Sequence, residues 1–194
     1  MDKQPMAVQF QLPVWVAEYV EGYQPTTDLS QRMQFVVEAS RRNVEAETGG
    51  PFAAAIFEQE SGALVALGVN LVTTEELSIL HAEMVAIALA QRTLNHYDLS
   101  AEGLPALELV TSTEPCAMCL GAIPWSGVRH VVTGALGMDA EAVGFDEGTK
   151  PADWVAALEA RGITVACEVE RPSAREVLRY YQQQGGALYN ARGG

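Results

Sequence analysis

Pro115-Cys116-Ala117-Met118-Cys119 decides the reading of this chain, together with His81-Ala82-Glu83 upstream of it. The first stretch sets two thiols three residues apart, and the second sets an imidazole two residues before a carboxylate. Each motif is ambiguous alone. A C-x-x-C pair can be a redox dithiol or half of a structural zinc site, and a lone His in an apolar helix is ordinarily a hydrogen-bonded core residue. Jointly, His81, Cys116 and Cys119 make three zinc ligands and Glu83 an acid/base. That set leaves the fourth coordination position to water, as in a catalytic site. A closed structural site would have to recruit Cys167, His96 or His130 as its fourth ligand.

Outward from these motifs, Leu107 to Ser112 reads as a short strand, and Thr113-Glu114-Pro115 leads into a helix from Cys116 to about Ile123. A helical pattern over Ser78 to Leu94 carries His81 and Glu83 in its first turns. Both ligand-bearing segments are therefore expected at helix N-termini, where unpaired N–H groups and the dipole favour negative charge. Before them, Phe52–Phe57 and Ala63–Val72 form two apolar runs around Gln59-Glu60-Ser61-Gly62, the pattern of a β-hairpin covered on both faces. Leu29 to Glu47 is an amphipathic helix ended by Gly49-Gly50-Pro51. Downstream, the pattern predicts a strand at His130–Leu136, an irregular acidic segment at 137–150, a helix at Ala152–Arg161 and a strand at Ile163–Val169. A last helix over Ser173–Gln184 has Ser173 as N-cap and Glu176 at the capping-box position. Residues 1–27 read as an N-terminal arm with a short helix near Val14–Glu21, and 28–194 as one α/β domain. The element order predicts a three-layer α/β/α fold on a mixed five-stranded sheet, with a hairpin at one end and parallel crossovers after it.

The chain has 194 residues, enough for a core that needs no staples. Acidic residues outnumber basic ones 25 to 12, for a net charge of −13. That balance disfavours a nucleic-acid partner, whose binding rests on Lys and Arg at phosphates. Three cysteines, one pair of them tight, do not read as a disulfide framework. Cys167 reads as a buried apolar thiol in a strand. No signal-peptide core or bilayer-length run is evident, so the expected location is the cytoplasm, with no membrane partner.

H-x-E followed by P-C-x-x-C is the signature of zinc deaminases acting on bases. The chain resembles the cytidine/deoxycytidylate deaminase superfamily and, within it, the guanine deaminase branch. The resemblance is carried by Gly49-Gly50-Pro51-Phe52, Asn70, His81-Ala82-Glu83-Met84, Pro115 through Ile123, Trp125 and Gly144-Phe145-Asp146-Glu147. It implies Zn2+ on His81, Cys116 and Cys119, with Glu83 moving protons between the attacking water and the base. It implies Glu147 as a second catalytic carboxylate. It places Asn70, Trp125, Phe52, Asp146 and Ala82 against the substrate. The activity it implies is hydrolysis of guanine to xanthine and ammonia, with related amino heterocycles such as ammeline as further substrates, by a homodimer acting on a small purine base with water as co-substrate. By position, Tyr189 matches an aromatic residue with which the family's C-terminal segment closes the site, often that of a partner subunit.

P-C-x-M-C-x-G-A-I is shared with tRNA adenosine deaminases, so that activity is the first alternative, and cytosine or cytidine deamination the second. Two departures from the family bear on the pocket. Ile79-Leu80 stands where a Thr or Pro-Thr often precedes the His, and Pro124 where an aromatic often precedes the Trp.

Overall fold

Ala53, Ala55 and Phe57 of the first strand point to one side of a sheet, and Ala54 and Ile56 to the other, all fully buried. This two-residue period with both faces apolar is what a central strand needs when helices cover it on both sides. The computed structural model describes residues 4–190. Its elements are α1 (Trp15–Glu21), α2 (Leu29–Glu45), β1 (Ala53–Glu58), β2 (Leu64–Val69), α3 (Val72–Glu75), α4 (Ala82–Leu94), β3 (Leu107–Thr113), α5 (Ala117–Ser126), β4 (His130–Ala135), α6 (Gly137–Glu141), α7 (Trp154–Glu159), β5 (Thr164–Ala166) and α8 (Arg171–Gln183).

The five strands run in the order β2-β1-β3-β4-β5. The β1–β2 and β1–β3 pairs are antiparallel, while β3–β4 and β4–β5 are parallel. The sheet is thus mixed, with the hairpin at one edge and crossovers through α5 and through α6–α7. Helices α2 and α8 cover one face, where Met33, Val36, Val110, Val132 and Leu178 share a core. Helices α4, α5 and α7 cover the other, around Ile56, Ala86, Leu109, Ile123 and Leu158. Burying a side chain of Leu or Phe size contributes about 1.5–3 kcal/mol, so these two layers account for most of the favourable term. The arm is fastened to the first face: Val16 is buried, Tyr19 donates to the Phe35 carbonyl at 2.7 Å, and Tyr23 donates to that of Gly62 at 2.9 Å.

One close approach sets the position of α4. A Cβ on Gly68 would lie 2.4 Å from both the Ala82 carbonyl oxygen and the Ala86 nitrogen. The first turns of α4 therefore rest directly on the backbone of β2, a spacing only glycine permits.

Several boundaries differ from the sequence expectation. Helix α4 begins at Ala82, because residues 76–81 are spent on a turn that hydrogen-bonds Leu80 N–H to Leu77 and Leu71 N–H to Leu80. His81 is consequently the N-cap residue. The last helix starts at Arg171, and Ser173 is not its cap: Pro172, with fixed φ and no N–H, fits the first turn, and Glu170 precedes it in the left-handed region. The segment 137–150 contains α6, capped where the Asp139 carboxylate accepts from Leu136 N–H at 2.9 Å. The last strand is shorter than expected, so Cys167 falls beyond it and is exposed, not buried.

Candidate active site

Two helix starts meet over the carboxyl end of β3. His81 and Cys116 are the N-cap residues of α4 and α5, both in extended backbone, and Cys119 sits in the first turn of α5. The Cys116 sulfur is 3.4 Å and the Cys119 sulfur 3.7 Å from His81 Nδ1. The three donor atoms all lie within 4.8 Å of one another. Zinc bonds of about 2.0–2.1 Å to nitrogen and 2.3 Å to sulfur, at tetrahedral angles, place such ligands roughly 3.5–3.8 Å apart. The residues present fit that ion in identity, number and spacing.

The electrostatics agree. Cys116 is drawn down to about 4, first by the hydrogen bond from the Cys119 thiol and then by His81, while burial opposes this. The same hydrogen bond, followed by burial, holds Cys119 up. The pair thus shares one proton, which a bound cation displaces. Burial pulls His81 down, but its bond to Cys116 and the charges of Glu83, Cys116 and Glu147 outweigh that and leave it raised.

Glu83 is buried beside the three donors, and burial, followed by the Cys116 charge, pushes it up to about 7. A carboxyl poised there can accept and return a proton near neutral pH. Glu147 is pushed up to about 8, first by burial; Lys150 opposes this, and Cys116, Glu83 and Glu114 add to it. Its loop is pinned to α5 by Ala117 N–H donating to the Glu147 carbonyl at 2.9 Å.

A cavity of about 320 Å³ opens onto these groups. Phe52, Asn70, His81, Ala82, Glu83, Cys116, Asp146 and Glu147 all line it. Asn70 Oδ1 accepts from Val72 N–H at 3.3 Å, which sets the amide's orientation and leaves its Nδ2 donor buried with no partner. Among the described residues, Glu147 Oε2 and the Tyr189 hydroxyl are the other buried atoms of this wall without a partner. Three unsatisfied polar groups around one cavity are what a polar ligand would complete. Phe52 packs edge-on against Phe145 at 4.9 Å. The Asp146 carboxylate accepts from Gly148 N–H at 2.9 Å, so it shapes its own turn.

Trp125 lies elsewhere. It is 86% exposed on α5 and is not among the residues lining the cavity. Tyr189 lies over the site of its own chain, its ring 6.2 Å from that of His81 and 5.3 Å from that of Phe145. Asn190 holds this tail by accepting from Asp146 N–H at 3.0 Å and donating to the Gly144 carbonyl at 2.9 Å.

The model for the cytidine and deoxycytidylate deaminase zinc-binding region matches residues 26–135, more than half of the chain. The chain belongs to this deaminase family. Its cofactor is zinc, and His81, Cys116 and Cys119 are a group that could hold it. Among family members, a guanine deaminase of Bacillus subtilis is 35% identical over 72% of this chain and 75% of its own. A solved guanine deaminase from Nitrosomonas europaea is 46% identical, with a TM-score of 0.89 over 94% of this chain and 100% of the other. A mutant of NE0047 in complex with 8-azaguanine is 47% identical, with a TM-score of 0.88 over 92% and 98% of the two chains. These relatives put the chain in the guanine deaminase branch of the family.

Some residues that build this family's site here were not singled out by the sequence reading. Asn43 donates to the carbonyls of Gly50 and Asn70, both at 2.9 Å. Its signal was a polar residue within the apolar stripe of α2. Lys150 bonds Glu114 behind the cavity wall at 2.7 Å. Its signal was a lone cation in an acidic loop.

Proposed function

We propose that the chain hydrolyses guanine to xanthine and ammonia. The observation that carries this is the joint wall of the cavity: Glu83 beside the zinc ligands, with Asn70 Nδ2 and Glu147 Oε2 buried, unpaired and lining the same cavity. Its volume of about 320 Å³ is at the small end for ligand sites. That suits a free base, and the relatives whose names or ligands point to guanine support this choice.

Zinc, when bound, lowers the pKa of a coordinated water and so supplies a nucleophile near neutral pH. With the metal in place, Glu83 would take the proton of that water and pass it to a ring nitrogen as the new C–O bond forms at the carbon bearing the exocyclic amine. Glu147, across the cavity and protonated at the outset, delivers a proton to the departing amine as the C–N bond breaks, and the proton of the new hydroxyl returns to the carboxylates, so that ammonia leaves and the oxo base remains. Asn70 donates from Nδ2 to an acceptor on the base edge and fixes its orientation. Phe52 and Phe145 pack against the apolar ring, and the Tyr189 ring restricts water.

The working unit is a homodimer. Met118, Gly121 and Trp125 fall on one face of α5; Met118 and Trp125 are exposed, and a Cβ on Gly121 would meet nothing within 4 Å. A second copy seated there buries the Trp. Light scattering on Trp125→Ser should show a monomer, and an unchanged dimer rules out this face.

The function is tested by ammonia release from guanine, adenine, cytosine, their nucleosides, ammeline and a tRNA anticodon stem. Guanine is expected to be turned over fastest. An inert guanine with a reactive tRNA stem would replace this reading with tRNA adenosine deamination. The net charge of −13 opposes that outcome.

A further inference from the structure

Buried Glu83 and Glu147 and the largely covered Glu114 line the cavity, and among the described residues no Lys or Arg lines it. Lys150 stands immediately behind the wall. Its side chain is 13% exposed, and Nζ donates to Glu114 Oε1 at 2.7 Å and to the Pro115 carbonyl at 3.1 Å. The same nitrogen is 3.8 Å from Glu147 Oε2, inside Coulomb range but beyond a hydrogen bond. Glu114 is held at both oxygens, since Oε2 accepts from Gly137 N–H at 3.0 Å. A Cβ at position 137 would lie 2.9 Å from Lys150 Nζ, so glycine there makes room for the ammonium.

We propose that Lys150 is a positioning residue for the reaction: clamped to Glu114 and to the residue before Cys116, it holds the Glu147 carboxylate in the cavity wall with Oε2 free for a substrate proton. A closer ammonium would occupy that oxygen. No ammonium at all would leave two carboxylates facing each other without compensation, and Glu147, the one on the loop, would turn away. The backbone bond from Ala117 to Glu147 sets where the loop lies, and Lys150 sets where the side chain points. The kinetic part of this proposal rests on the guanine-deaminase reading; the structural part does not.

The test compares Lys150→Met, Lys150→Arg, Glu147→Gln and the Lys150→Met/Glu147→Gln pair in the zinc-loaded full chain. Lys150→Met is expected to lower kcat by roughly tenfold or more with KM little changed, Lys150→Arg to restore most of the loss, and Lys150→Met to cost nothing further in the Glu147→Gln background. An equal loss in that background, or a loss that follows zinc content, overturns the proposal. Because Lys150→Met strands the Glu114 carboxylate, the Lys150→Met/Glu114→Gln double variant removes the opposed charge and is expected to recover most of the kcat loss; an undiminished loss in that folded protein overturns the proposal. A crystal structure of Lys150→Met should show the Glu147 side chain out of the cavity wall, and a side chain left in place overturns the proposal whatever the substrate is. Failure of the unaltered protein to turn over guanine would sink the functional reading instead.

Discussion

Asn43 Nδ2 donates to the main-chain carbonyl of Asn70 at 2.9 Å and, at the same distance, to that of Gly50. Thr48 in turn donates to Asn43 Oδ1 at 2.8 Å. One fully buried amide on α2 thus ties the glycine turn before β1 to Asn70, the residue after β2. Asn43→Ala takes the donor from the buried Asn70 carbonyl, while that of Gly50 keeps the Phe52 N–H. It should cost about 1–3 kcal/mol in urea unfolding and raise KM for guanine more than it lowers kcat. An unaltered KM would show that Asn70 keeps its place without this support.

Glu83 is not one of the three zinc ligands but is buried beside them, and the proposed reaction makes it the proton carrier. Glu83→Gln keeps the volume and removes the titration. Turnover should fall by about 10²–10⁴-fold, while zinc content by atomic emission stays at that of the unaltered protein. Retained activity would remove the proton-transfer role.

Arg32 and Glu108 form an ion pair at 2.5 Å beneath α2, with side chains only 6% and 1% exposed. Arg32 also donates to the carbonyls of Gln59 and Thr27. Removing one partner strands a buried charge, so Arg32→Met should destabilise the fold by about 3–5 kcal/mol, and Arg32→Met/Glu108→Leu should recover most of it. A double variant as unstable as the single one would show that the carbonyl contacts of Arg32, and not its charge, carry the effect.

The guanidinium of Arg171 bonds both oxygens of Asp139 and holds that carboxyl below the usual range. A depressed folded-state pKa stabilises above the unfolded value of about 3.9, and the contribution is lost as pH falls through the lower folded value. Asp139→Asn should therefore lower Tm by a constant amount at neutral pH, and the gap should close in acid below about pH 4. A gap that persists there would assign the loss to the α6 cap.

Element types and most core positions were legible in the sequence, because two-residue alternation in the strands and helical spacing in α2 follow directly from which faces are buried. Gly68 marks a limit. As a residue in an apolar run it said nothing, yet its missing Cβ is what lets α4 sit on β2 and brings His81 beside the thiols. Short turns were illegible for a related reason: the end of α3 and the start of α8 are set by left-handed backbone at Glu76 and Glu170 that residue type does not announce.

The sequence by itself determined the chemistry: a His, two Cys and a Glu at spacings that suit two helix starts can hold zinc and move a proton, since ligand identity and local helix geometry are both encoded within a few residues. Tertiary structure alone decided which of the remaining candidates wall the cavity and how they are held. Asn70 faces the cavity because Asn43 and Val72 hold it, Glu147 lies behind Ala117, Asp146 is spent on its own turn, and Trp125 stands outside on α5. Those outcomes depend on contacts between residues far apart in the chain, where spacing carries no information.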